Sequence, residues 1–254
     1  MTDPVFSVIT VSRNHLSGLK ATASALSHEN QTLFEWIVID GASDDGTQDY
    51  LQTTNARWIS ESDHGIYDAM NKGLERAAGE YVLFLNAGDT LALPRTLDTL
   101  AEYLKARPVN PDLIYGDAFE DTGSGRVIKP AHSHKTLHQG LFTHHQAILY
   151  RRALIDGLLY DRAYSIAADY KFTAQFIMRC QDIMYWPRPL CLFEPGGLSQ
   201  RQAFKGRMQQ SLIRRELHMT LPMEEIFILL RQTLTLALRR YCPALYWRLR
   251  ATSA

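Results

Sequence analysis

Residues 80–91 read EYVLFLNAGDTL, and the class of fold depends on what this run becomes. Residues 81–85 are apolar at every position, with no alternation of polar and apolar side chains. That is the pattern of a short strand buried on both faces, whose sheet needs helices on either side. The run breaks off at Asn86, Ala87, Gly88 and Asp89, of which Asn, Gly and Asp are turn formers. Strands in phosphate-handling enzymes often stop at paired carboxylates that hold a divalent cation; here one, Asp89, remains. It either caps a turn before a helix near Pro94 or anchors a cation completed by phosphate oxygens and water, since magnesium needs only one or two protein carboxylates.

Upstream, strand and helix patterns alternate. Residues 5–12 (VFSVITVS) read as a buried first strand, followed by helical spacing at Leu16, Leu19, Ala23 and Leu26. Residues 34–39 (FEWIVI) form a second strand running into Asp40, and ASDDGTQDYL supplies caps and a short helix. Residues 57–60 read as a third strand. SDHGIYDAMNKGLERAAG reads as a helix capped by Ser62 or Asp63, with a face of Ile66, Met70, Leu74 and Ala77 and a stop at Gly79. Strands alternating with helices on short connections predict a mostly parallel, Rossmann-like α/β sheet with helices on both faces. Ligands gather at the carboxyl ends of such strands, where Arg13, Asn14, Asp40, Asn86 and Asp89 would meet.

Beyond residue 110 the pattern is weaker. Residues 112–121 and 125–130 read as strands around a turn at 123–125, and 146–155 as a strand leading into a helix. A helix is expected to start near Ala167. EPGGLSQRQAFKGR (194–207) reads as a glycine-containing basic loop, and 224–241 as a strong helix.

The 254 residues suffice for one domain with a substantial core and a small appendage. With 46% hydrophobic and 21% charged residues, disorder is not expected. Cys180, Cys191 and Cys242 are odd in number and lack metal-ligand spacing, which favours buried thiols in a reducing compartment. The first residues pass into a strand without a basic leader, and no uncharged apolar run reaches membrane-spanning length, so a cytoplasmic location is expected. The net charge of zero hides an asymmetry: residues 201–254 carry +7 and residues 1–200 carry −7.

Four stretches, VITVSRNH, VIDGASDDGT, GEYVLFLNAGD and AADYKF, resemble in order and spacing the inverting glycosyltransferases of family 2, which have the GT-A fold. The resemblance covers roughly residues 4–200, giving a GT-A domain over 1–200 and a basic helical extension over 201–254. DHGIYDAMNKG and HHQAILYRR are similar to bacterial enzymes that build exopolysaccharides of the colanic-acid kind. The resemblance implies transfer of a sugar from a nucleoside diphosphate donor, a UDP- or GDP-sugar, to a glycan hydroxyl. It places Asp40 on the donor base, with Thr10 and Asn14 lining the same pocket. Asn86 and Gly88 fall at the diphosphate, Asp89 at an Mn2+ or Mg2+ ion, and Asp169 is implied as the general base. Acids more usual in the family are replaced by Asn86, Gly88 and Ala168. Ser199 and Arg201, in GGLSQRQ, would lie on a loop that closes over the diphosphate, and His145 would contact acceptor or diphosphate.

The residues themselves leave alternatives open. Asp40, Ser43 and Asp44 could merely cap a helix, Asp169 could merely favour a helix dipole, and GGLSQRQ could be a plain connector. His132, His134, His138, His144 and His145 match no zinc spacing; loop histidines explain the first three, and His145 could be a satisfied core histidine. In the last helix Ile226, Phe227, Leu230, Leu234, Ala237, Leu238 and Tyr241 share one face, followed by Tyr246, Trp247, Arg248 and Arg250. This segment suits the cytoplasmic face of an anionic membrane with a lipid-linked oligosaccharide acceptor, packing on the catalytic domain, or a homodimer contact. No nucleic-acid-binding module accompanies its charge. A sugar nucleotidyltransferase and a non-catalytic nucleotide-sugar-binding partner are the competing classes; the first would want a glycine-rich phosphate loop where VSRNHLSG stands.

Overall fold

Strand β1 (Phe6–Ser12) is buried at all seven positions and forms the spine of the sheet. It pairs in parallel with β2 (Phe34–Asp40), Phe6 opposite Phe34 through Ser12 opposite Asp40, and on its other edge with β4 (Tyr81–Phe84). Strand β3 (Arg57–Ser60) lies parallel beyond β2. The crossovers are α1 (Leu16–Leu26), α2 (Thr47–Leu51) and α3 (Ile66–Leu74). This computed structural model describes residues 4–121, 125–194 and 196–242.

The second half completes a nine-stranded sheet from β5 (Thr90–Leu91), β6 (Leu113–Asp121), β7 (Arg126–Lys129), β8 (Ile148–Arg151) and β9 (Ile183–Phe193). The order is β3-β2-β1-β4-β8-β6-β9-β5, with β7 on the free length of β6. Strand β8 runs antiparallel to both β4 and β6, and β9 parallel to β6. Helices α4 (Thr96–Lys105) and α5 (Ala168–Ile177) cover opposite faces. One layer joins Ile9, Val11, Ile39 and Phe84 to Tyr67, Met70, Phe172 and Phe176; the other joins Phe6, Val8, Leu83 and Leu85 to Leu26, Leu97, Leu100 and Leu104. Alternate residues of each strand go to opposite layers, so unbroken apolar runs encode a two-sided sheet.

Several elements differ from expectation. Strand β9 had no sequence signal because Pro187 and Pro189 interrupt it. Its pairing with β6 is irregular there, Gly116 facing Trp186 but Asp117 facing Pro189, so the bulge absorbs residues that cannot donate to a ladder. Only a single 3-10 turn, Arg152–Leu154, follows β8. Residues 194–207 are not one loop: α6 (Leu198–Arg201) and α7 (Ala203–Glu216) begin within them. Helix α3 starts after Gly65 rather than at Ser62 or Asp63; Asp63 and Asp68 instead accept the Gly65 and His64 N–H groups. The expected turn at 123–125 lies outside the described residues except for Gly125. No disulfide forms among the cysteines; Cys191 is buried, Cys180 partly so, and Cys242 exposed.

The last helix, α8 (Pro222–Tyr241), turns its apolar face outward. Glu225, Ile228 and Gln232 are buried, while Ile226, Phe227, Leu230, Leu234 and Tyr241 are 51–73% exposed. Glu225 is fixed by a bidentate pair with buried Arg214 of α7, both contacts 2.7 Å, and Gln232 donates to the Gln139 carbonyl. The apolar face is therefore not the one packed against the rest of the fold. Residues 243–254, with Tyr246, Trp247, Arg248 and Arg250, lie outside the described residues.

Candidate active site

The parallel strands place four chain reversals side by side at the carboxyl edge of the sheet. After β2, Asp40 is fully buried. Its Oδ2 accepts the Ser43 N–H at 3.0 Å and the Ser60 hydroxyl at 2.6 Å, and its Oδ1 accepts the Ser43 hydroxyl. Asp40 thus ties β2 to β3 from a buried position with three protein donors on its carboxylate. Thr10 also falls in the core, where its hydroxyl accepts the Trp36 indole N–H, so it does not line a pocket. Asn14 remains at the edge with a positive φ of 50°, its side chain accepting the Asp44 N–H.

After β4 the chain turns through Asn86–Asp89, with the Asp89 N–H donating to the Asn86 carbonyl. Thr22 of α1 pins the turn: its hydroxyl donates to the Asp89 carbonyl at 2.7 Å and accepts the Gly88 N–H. Asp89 is 4% exposed; Glu194 N–H donates to one carboxylate oxygen and the Gln146 amide to the other. Burial raises its pKa to about 7, although these hydrogen bonds oppose the rise. Gly88 has φ +101°, and a Cβ there would stand 1.9 Å from Glu194 Oε2. The glycine thus admits the Glu194 carboxylate from the end of β9 into the space of a side chain at 88. His15, after β1, stands 3.7 Å from that carboxylate.

Asp169 lies in the first turn of α5. Its Oδ1 accepts the Tyr170 N–H at 2.8 Å, and the Tyr67 hydroxyl stands 3.4 Å away while donating to the Ile166 carbonyl at 2.8 Å. Desolvation raises the Asp169 pKa to about 6, the backbone hydrogen bond being the main opposing influence. The start of α5 is held from outside the helix: Gln209 of α7 accepts the Ile166 and Ala167 N–H groups, and Gly206 lets α7 approach Ile166 closely. A partly buried carboxylate with a pKa near neutrality, held on a rigid helix, is equipped to accept a proton.

Residues 7–159 match the model of Glycosyl transferase family 2, more than half of the chain. The chain belongs to this family. A PGL/p-HBAD biosynthesis glycosyltransferase of Mycobacterium tuberculosis is 32% identical over 179 residues, covering 68% of this chain and 69% of that one. Staphylococcus aureus TarS in complex with UDP-GlcNAc superposes with a TM-score of 0.68 at 19% identity, over 93% of this chain and 74% of that one. The mannosyltransferase PcManGT of Pyrobaculum calidifontis, in complex with GDP-Man and Mn2+, gives a TM-score of 0.65 at 16% identity, over 100% of this chain and 77% of that one. The expected GT-A architecture is the one observed.

In this glycosyltransferase the paired histidines separate. His145 is 5% exposed, its Nε2 2.9 Å from the Tyr160 hydroxyl and its ring stacked on Phe84. Burial lowers its pKa to about 3, so it is a neutral residue of the core. His144 stands outside the core, stacked on Phe193 and 2.9 Å from Glu120, whose carboxyl is held down to about 2 by this contact. Arg201 is exposed at the end of α6, and the Ser199 side chain lies outside what is described.

Among the described residues, no group of three or more His, Cys, Asp or Glu side chains is arranged to hold a metal. The Asn86–Asp89 turn nevertheless fits a cation shared with phosphate: Asn86 Oδ1 is buried without a partner, and Asp89 and Glu194 stand beside it. Sequence reasoning missed Glu194, Gln146, Tyr67 and Gln209, which come from other parts of the chain. Asp63 entered the sequence reading only as a helix cap, although its position just after a strand was the signal for a site at the sheet edge.

Proposed function

We propose that this family 2 enzyme transfers a sugar, with inversion, from a nucleoside diphosphate donor to a glycan hydroxyl, and that Asp169 is its general base. The observation carrying this reading is the Asp169 carboxylate, poised near pKa 6 on the first turn of α5 beside Tyr67. The acceptor oxygen attacks the anomeric carbon as the bond from that carbon to the diphosphate breaks; the bonding pair leaves with the diphosphate and the acceptor proton passes to Asp169. Asn86, Asp89 and Glu194 would hold Mn2+ or Mg2+ together with donor phosphates. When bound, the cation supplies positive charge for the departing diphosphate. Tyr67 and the Gln209 cap orient Asp169 and α5.

A lipid-linked oligosaccharide at an anionic membrane surface is the acceptor this reading favours. It is supported by the outward apolar face of α8 and the +7 charge of residues 201–254. No described helix is long and apolar enough to cross a membrane. The test is release of nucleoside diphosphate from UDP- and GDP-sugars with Mn2+, together with the anomeric configuration of the product by NMR. Asp169→Asn is expected to abolish transfer and keep nucleotide binding; normal transfer by that variant would remove Asp169 from the role.

A further inference from the structure

Base recognition by a carboxylate requires an acceptor oxygen that faces an open cleft, and Asp40 does not face one. It is fully buried, and both oxygens already receive protein donors. One strand further out, the chain leaving β3 brings Asp63 back over the end of β2. Asp63 Oδ1 accepts the Gly65 N–H at 2.9 Å. Its Oδ2 lies 2.5 Å from where a Cβ on Gly41 would stand. No hydrogen bond reaches Oδ2 from the described residues.

Gly41 is not among the glycines of positive φ, so its backbone would admit any residue. Space is what requires glycine there: Asp63 Oδ2 fills the notch from one side, and the Arg13 side chain walls it at 3.2 and 3.3 Å. The same device recurs at Gly88, where Glu194 fills the missing side chain. Two strand-end glycines thus receive carboxylates from distant segments, Gly41 at β2 and Gly88 at β4. With the order β3-β2-β1-β4, the two notches are about 10 Å apart at roughly 4.8 Å per strand, the scale of a nucleoside diphosphate.

We infer that Asp63, not Asp40, is the residue that reads the donor nucleobase, its Oδ2 accepting a ring N–H that stands beside a carbonyl, as in uracil or guanine. This rests on the nucleotide-sugar reading of the site. Arg13 walls the base pocket, and Asp40 is a positioning residue that joins β2 to β3 beneath it. Selectivity follows from an unmatched acceptor: a base that offers a ring acceptor at this point leaves Asp63 facing a lone pair.

The test is calorimetric titration of the full chain, with Mn2+ present, by UDP, GDP, CDP and the ring-N-methylated form of whichever of UDP or GDP binds. The unmodified chain is expected to lose about 10- to 100-fold in affinity on ring-N methylation, the range of a hydrogen bond to a charged group. Asp63→Asn keeps an oxygen for the Gly65 N–H and presents an amide N–H where Oδ2 was. It is expected to weaken UDP or GDP by a similar factor and to favour CDP relative to the parent, because cytosine N3 is an acceptor. Gly41→Asp combined with Asp63→Ala is expected to restore discrimination against the methylated base. Equal binding of methylated and unmethylated nucleotide by the unmodified chain overturns the inference, whatever the variants' stability. Unchanged nucleotide preference in a folded Asp63→Asn overturns it as well. If the unmodified chain binds neither UDP nor GDP, the donor reading fails and this inference with it.

Discussion

At the scale of single residues, function depends on which carboxylates stay open and which are consumed by the fold. Asp40 and Asp169 both follow or start an element, yet three donors quench Asp40, while Asp169 has one close backbone donor and a raised pKa of about 6. If Asp169 is the base, log kcat/KM measured from pH 4.5 to 8 should rise with pH up to about 6 and then level off. The linked effect on folding has the opposite sense. A carboxyl whose folded pKa is raised binds its proton more tightly in the native state, so its stabilisation is complete below about 3.8 and is lost as pH rises through about 6. Asp169→Asn should therefore unfold at a temperature equal to or above the parent at pH 8, while being inactive. A loss of Tm there would show the carboxylate to be structural.

At the scale of elements, α7 buries Ile213 in the core and is joined to α8 by a buried ion pair. Arg214 and Glu225 are 0% and 2% exposed in their side chains and form a bidentate pair. Removing one partner leaves a buried charge alone, so Arg214→Ala should cost about 3–5 kcal/mol, on the order of 10 °C in Tm. Replacing both by Met and Leu should cost less than that single change, because no charge is then left unpaired. The pair turns the apolar face of α8 outward, where Phe227 and Leu230 are 66% and 63% exposed. The full chain should sediment with phosphatidylserine vesicles and not with phosphatidylcholine vesicles, and Phe227→Asp/Leu230→Glu should weaken this at least about tenfold. Equal sedimentation of that variant would exclude this face from contact with lipid.

At the scale of the whole molecule, the proposed donor site joins segments far apart in sequence, so ligand binding should stabilise the domain as a unit. Saturation at about 100 times Kd adds about 2.7 kcal/mol, several degrees in Tm, and the shift from UDP or GDP should grow when Mn2+ is added. Mn2+ giving its full shift without nucleotide would indicate a self-sufficient metal site instead. Local patterns along the chain are enough for the parallel sheet, the order of strand and helix through β4, the turn at Asn86–Asp89 and the start of α5. These patterns are set by burial on both strand faces and by the turn chemistry of Asn, Gly and Asp. Strand β9 was hidden because its prolines are tolerated only through a bulge opposite β6. Tertiary contacts set the rest: Thr10, Asp40 and His145 are buried with internal partners, Asp63 and Glu194 fill the notches of Gly41 and Gly88, and α8 shows its apolar side to solvent. Each of those outcomes depends on which atoms compete for one space or one hydrogen bond across the fold, and that competition has no period along the chain.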